Sequence, residues 1–180
     1  MQGKSFPIFQ RGVTLLECCV VLVIASIVVG SALPSFEKGN QKLGLDGVAA
    51  EMATDLHYVR SEAVARNEGV RISFRGVAGG TCTIIHTGSA SDCQCGADGM
   101  SQCGSGATLL KSQFHRTGTG VAVSANVGSM RFDPINGTVT PTGTVTVENR
   151  NGQTIRHIVN IMGRVRSCSP NGTVKDLKAC

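Results

Sequence analysis

The strongest constraint on this chain is an apolar run near its start, residues 13–33, in which Glu17 is the only charge. About 20 residues of helix extend roughly 30 Å, the thickness of a bilayer's hydrocarbon core. Lys4 and Arg11 precede the run, so the positive-inside rule keeps the start of the chain cytoplasmic and sends the remainder across. A secretory signal cut near Ser31-Ala32 is the plainer alternative, but the run is long for one and Glu17 is out of place in it. A carboxylate in a membrane helix costs up to about 2.5–3.5 kcal/mol near the centre and less toward an end. Such a residue needs a partner.

The 180 residues suffice for one modest domain beyond this anchor. Pro34 removes a backbone donor, so a kink or local melting is expected there, and Gly39, Gly44 and Gly47 predict a loosened stretch or hinge over 35–47. From Val48 to about Asn67, Val48, Met52, Leu56, Val59 and Ala63 recur at three- and four-residue intervals and define one apolar helix face. Glu62 and Arg66 stand four apart and can pair, and Gly69 is expected to stop the helix. The period then becomes two. Val70, Ile72 and Phe74 alternate with Arg71, Ser73 and Arg75, as in a half-buried strand. Residues 76–107 read as a stapled, glycine- and cysteine-rich loop with one short strand near 81–85. Further strands are predicted at 109–114, 120–124, 129–133, 138–140, 143–149 and 153–161, with turns at Asn136-Gly137 and Asn151-Gly152. The expected class is α+β, a long N-terminal helix packed on antiparallel sheet.

Eight cysteines fall into two groups. Cys18 and Cys19 lie in the apolar run, where they can act as small hydrophobes. Beyond it, Cys82, Cys93, Cys95, Cys103, Cys168 and Cys180 form an even set that fits disulfides in an oxidising compartment. Cys168 and Cys180 are expected to close a C-terminal loop, and the other four to staple the middle in a pairing left open. A zinc site using Cys93-x-Cys95 with Cys82, Cys103 or His86 is the rival reading, but it lacks paired C-x₂-C spacing.

No catalytic constellation is present: there is no nucleophile elbow, phosphate loop or metalloprotease helix. His57, His86, His115 and His157 are scattered and read as surface or core residues. Neither enzymatic activity nor a cofactor or metal is expected. The charge is more informative. Residues 150–180 hold Arg150, Arg156, Arg164, Arg166, Lys175 and Lys178 against Asp176 alone, which accounts for the whole net charge of +5. A basic tail on a near-neutral body suggests an anionic partner.

The segment Arg11-Gly12-Val13-Thr14-Leu15-Leu16-Glu17 resembles the processing site of type IV pilins and type II secretion pseudopilins. The resemblance implies that residues 1–12 are a leader, that a prepilin peptidase cuts after Gly12, and that Val13 becomes the methylated N-terminus. Val13 stands where the family usually has phenylalanine, and Pro34 falls where these helices often carry proline. Residues 13–34 become the transmembrane and assembly helix, 35–69 its amphipathic continuation, and 70–180 a β-rich globular domain. Glu17, fifth in the mature chain, is implied to meet the free amine of a neighbouring subunit. Such pairing relieves two charges otherwise stranded in an apolar filament core. The stretch Asp55 to Ala63 with Arg66-Asn67, and Phe132-Asp133-Pro134 through Gly137 with Thr140-Pro141, resemble the GspH/FimT group of minor pilins and pseudopilins. The implied location is the bacterial inner membrane, single-pass with a periplasmic C-terminal domain, and the pilus or cell surface after assembly. Other pilin subunits are the implied partners.

Within the basic tail, 163–180, Gly163-Arg164-Val165-Arg166 resembles a motif of FimT-type minor pilins linked to DNA uptake in natural transformation. On a strand, Arg164 and Arg166 project together about 6.5–7 Å apart while Val165 faces the sheet. Guanidiniums at that separation suit phosphates along a nucleic-acid strand. Lys175 and Lys178, held nearby by a Cys168–Cys180 bridge, widen the positive surface. The tail has no aromatic residue, so contact is expected through the DNA phosphate backbone, largely without sequence preference.

Overall fold

A computed structural model describes residues 12, 14–170 and 172–180, without the side chains of residues 31–35 and of Lys38. The expected leader, up to Arg11, and the methylation site Val13 lie outside the described residues. The chain divides into two compact units, Met1–Gly39 and Asn40–Cys180.

One helix, α1 (Leu15–Arg66), contributes to both units. It opens with a cap: Glu17 N–H donates to Thr14 Oγ1 at 3.3 Å, and Cys18 N–H to the Thr14 carbonyl at 3.2 Å. Thr14-x-x-Glu17 is the spacing of a capping box, and its glutamate suits the positive end of the helix dipole. In the first unit the described side chains of α1 are mostly apolar and exposed, with Leu15, Leu16, Leu22 and Ile27 leading, and Glu17 and Glu37 are exposed beside them. A helix without a polar face belongs in a membrane or a protein core. Among the described residues, however, no helix is long and apolar enough to cross a membrane. Helical structure persists through Pro34, Gly39, Gly44 and Gly47, so the local melting expected at Pro34 is not seen.

In the second unit the predicted helical face is buried. Met52, Leu56, Val59 and Ala63 have no exposure, and Leu45 and Ala49 extend the stripe toward the N-terminus. Packing does not require a glycine at 44, since a Cβ there would make only an ordinary contact with Val121, at 3.6 Å. The helix stops one turn before the glycine expected to stop it. Asn67 takes the left-handed conformation at φ 51°. Glu68 N–H then bonds the Ala63 carbonyl and Asn67 N–H the Val64 carbonyl, which is the pattern of a Schellman cap. Glu62 and Arg66 pair at 2.6 Å, as their spacing predicts.

Eleven strands follow among the described residues. A five-stranded sheet has the order β5 (Leu109–Arg116), β2 (Gly80–Thr87), β1 (Val70–Val77), β7 (Ser129–Phe132), β8 (Val139–Thr140). A four-stranded sheet has the order β11 (Val165–Cys168), β10 (Thr154–Val159), β9 (Gly143–Asn149), β6 (Val121–Ala125). All pairings between these strands are antiparallel. Both sheets share one core with α1: Ile72, Met130 and Phe132 from the first sheet, Val145, Val147 and Val159 from the second. Each such buried side chain contributes roughly 1.5–3 kcal/mol.

The insertion is more ordered than a loop. It contains β2 and a hairpin, β3 (Cys93–Cys95) with β4 (Ser101–Cys103), and builds a second small core of Cys82, Ile84 and Cys93. That core covers the outer face of the first sheet, so β1 is not the half-buried strand its alternation suggests. Ser73 is fully buried and lies 2.9 Å from His86 Nε2. The disulfides are Cys82–Cys95, Cys93–Cys103 and, as expected, Cys168–Cys180. The zinc alternative has no ligands left, because its cysteines are bonded to one another and His86 Nδ1 contacts the Thr87 carbonyl.

His86, His115 and His157 are all buried, and burial lowers each below the ordinary imidazole value. Below about pH 6.5 the unfolded chain takes up protons that the folded chain refuses. Stability is therefore expected to fall as pH drops through that value, by no more than about 1.4 kcal/mol per histidine per pH unit. Urea unfolding midpoints at about pH 7.5 and 5.5 test this. Equal midpoints would show that burial does not hold these rings neutral.

Candidate nucleic-acid interface

The arginine motif sits on the β10–β11 hairpin. Its turn is tighter than the predicted strand 153–161 allows, because β10 ends at Val159 and the chain reverses over 160–164. Asn160 N–H donates to the Arg164 carbonyl at 3.1 Å, Arg164 N–H returns to Asn160 Oδ1 at 2.9 Å, and Gly163 N–H bonds the Asn160 carbonyl. Gly163 is required here for two reasons. Its φ is 69°, and a Cβ would stand 2.6 Å from the Gly137 carbonyl oxygen. Val139 N–H to the Ile161 carbonyl, at 2.9 Å, ties the turn to β8, and Arg60 Nη1 reaches the Gly163 carbonyl at 3.4 Å. The glycine thus sets the base from which Arg164 departs.

Strand β11 is the edge of its sheet and pairs only with β10, with Ile158 opposite Arg166 and Val159 opposite Val165. Val165 packs on the core while Arg164 and Arg166 are exposed, so the two guanidiniums project from one side. Arg164 itself precedes the strand, but its carbonyl accepts from Asn160 N–H as a ladder bond would, and its N–H is held by the Asn160 side chain. Neither guanidinium has a hydrogen bond or ion pair with another described residue. By contrast Arg60, Arg66, Arg71, Arg75 and Arg150 each engage a carbonyl, hydroxyl or carboxylate of the chain.

Beyond β11, the Cys168–Cys180 disulfide closes the tail, with Cα atoms 5.0 Å apart. Ser169 N–H bonds the Lys178 carbonyl, and Val174 is buried in the main core. Lys175 and Lys178 are exposed on this loop. The tail's acid, Asp176, is turned to Lys42 at 3.1 Å. The remaining sequence-derived residues, Gly12 and Glu17, lie in the other unit. Glu17 is exposed in the first turn of α1, where the sequence reading missed its capping geometry. The Thr14-x-x-Glu17 spacing was the signal for it.

A family model described as type II transport protein GspH matches residues 48–163. The pilin-like protein PilA1 of Thermus thermophilus is 38% identical over 72 residues, covering 39% of this chain and 45% of that protein. The chain therefore spans less than half the length of that relative. Two crystal forms of the type IV minor pilin FimU of Pseudomonas aeruginosa share the fold at a TM-score of 0.50. Their identities are 23% and 20%, covering 68% and 69% of this chain and 90% and 88% of FimU.

Proposed function

Because the chain belongs to the GspH family and is a minor type IV pilin or pseudopilin, we propose that it is carried in a type IV pilus and holds extracellular DNA for uptake in natural transformation. On this reading prepilin peptidase removes residues 1–12 and methylates Val13. The first part of α1 rests in the inner membrane until Glu17 guides it into the filament, leaving the domain beyond it periplasmic and later on the cell surface. Arg164 and Arg166 take DNA phosphates, and Lys175 and Lys178 add positive charge. The observation that carries the DNA reading is two exposed guanidiniums without an anion of their own, held on one side of a fixed hairpin. The family match ends at Gly163, so this support comes from geometry.

A second reading is a subunit that primes a pilus or a type II secretion pseudopilus and touches only other pilins. The family's description as a type II transport protein favours it, as does the place of β11 at a sheet edge, where arginines also block edge-to-edge pairing. Fluorescence anisotropy of the fragment Asn40–Cys180 with a labelled duplex separates the two. With three or four phosphates neutralised, affinity is expected to drop roughly 40- to 150-fold between about 50 and 200 mM salt. Arg164→Ala/Arg166→Ala is expected to lose nearly all binding. A double variant that binds like the parent removes these arginines from the mechanism, and a parent that does not bind at low salt favours the second reading.

A further inference from the structure

The same face carries a third arginine that the motif does not include. On β10, Ile155, His157 and Val159 are buried, so Arg156 and Ile158 point to the outer face. On β11, Ser167 meets the inward His157 at 2.8 Å, which puts Arg166 on the outer face as well. The register sets Ile158 opposite Arg166 and Arg156 opposite Cys168. Arg156 and Arg166 are therefore diagonal neighbours on one surface, about 7–8 Å apart at the backbone. Arg164, Arg166 and Arg156 step in a line from the hairpin turn onto the interior of the sheet.

Arg156 is exposed and, among the described residues, makes no hydrogen bond or ion pair. The next strand places Thr146 opposite it. The acid of that strand, Glu148, stands opposite Thr154 and diagonal to Arg156 on the same outer face, but makes no ion pair with it. Edge protection explains arginines on β11, but β10 is an interior strand with both edges paired. Lys175 and Lys178 sit on a loop, whereas Arg156 is fixed on a strand with a buried residue on either side. A rigidly placed, unpartnered guanidinium beside two others is arranged for an anion with repeating charge.

We infer that the outer face of the β11–β10–β9 sheet is the DNA-binding surface, with Arg156 a third phosphate-binding residue and the nucleic-acid backbone crossing from β11 onto β10. This rests on the DNA reading above and gives it an extent and a direction. Thr146 offers a neutral hydroxyl to a phosphate next to Arg156.

The test uses the full chain in detergent micelles with labelled duplex and single-stranded DNA of random sequence. Arg156→Ala is expected to weaken duplex binding about tenfold near 50 mM salt and to reduce the slope of log affinity on log salt by about 0.9. With single strands the slope changes by about 0.7. Arg156→Lys restores the slope but not the full affinity, because an ammonium lacks the two-pronged contact. An Arg156→Ala protein with the parent's affinity and slope, beside an Arg164→Ala/Arg166→Ala protein that loses binding, overturns the extended face and leaves the arginine pair standing. Failure of the parent to bind overturns both.

Discussion

A Glu17→Ala protein is expected to be made and processed like the parent yet to be nearly absent from sheared filaments. Two roles for this carboxylate compete. Inside its own chain, Glu17 donates its backbone N–H to Thr14 Oγ1 and lies in the first helical turn, where a negative charge contributes about 0.3–1 kcal/mol. Loss of that effect changes helix onset modestly and incorporation only a few-fold. In an assembled filament, its removal leaves the neighbour's amine charged among side chains such as Leu15, Leu16 and Val20 with nothing opposite it. Breaking a buried ion pair costs about 3–5 kcal/mol, roughly two to four orders of magnitude in an equilibrium. Glu17→Gln loses the helix-dipole contribution and the ion pair alike, so the size of its loss, a few-fold against orders of magnitude, separates the roles. Both variants missing from filaments supports the intersubunit contact. Glutamine incorporated within a few-fold of glutamate would show that no ion pair at this position holds the subunit in the filament. The control is the mass of the membrane form, expected to begin with methylated Val13.

The elements that could be read in the sequence are those set by local pattern. Met52, Leu56, Val59 and Ala63 lie three or four apart and are all buried. Strands β5 and β9 begin at the predicted residues, Leu109 and Gly143. What escaped depends on contacts distant in sequence. Ser73 and Arg71 look solvent-facing until the insertion folds back, and its pairing of Cys93 with Cys103 follows from the β3–β4 register rather than from cysteine spacing. The candidate site divides the same way. Arg164 and Arg166 are neighbours in the chain, so one motif reveals both. Arg156 joins them only through the cross-strand register of the hairpin, which no spacing along the chain displays.

Lys111→Met is expected to destabilise the domain by about 2–4 kcal/mol. Asp55 is 3% exposed on α1, and its main counter-charge is Lys111 of β5, with Nζ at 2.6 Å from Oδ1. Glu51 also reaches this ammonium at 3.5 Å, but its side chain is 34% exposed and stays hydrated without a partner. The bridge fastens the outermost strand of the five-stranded sheet to the helix. Its loss strands a carboxylate that water reaches poorly. Removing one member of a fully buried pair costs about 3–5 kcal/mol; the figure here is lower because Lys111 is itself 36% exposed. The partner experiment is Asp55→Asn with Lys111→Met. It removes the stranded charge and is expected to recover most of the loss, since the penalty belongs to the unpaired ion rather than to the missing bond. Urea unfolding of the fragment Asn40–Cys180 measures both variants. A single variant within about 0.5 kcal/mol of the parent would mean that solvent reaches Asp55 and that the pair behaves like an ordinary surface contact.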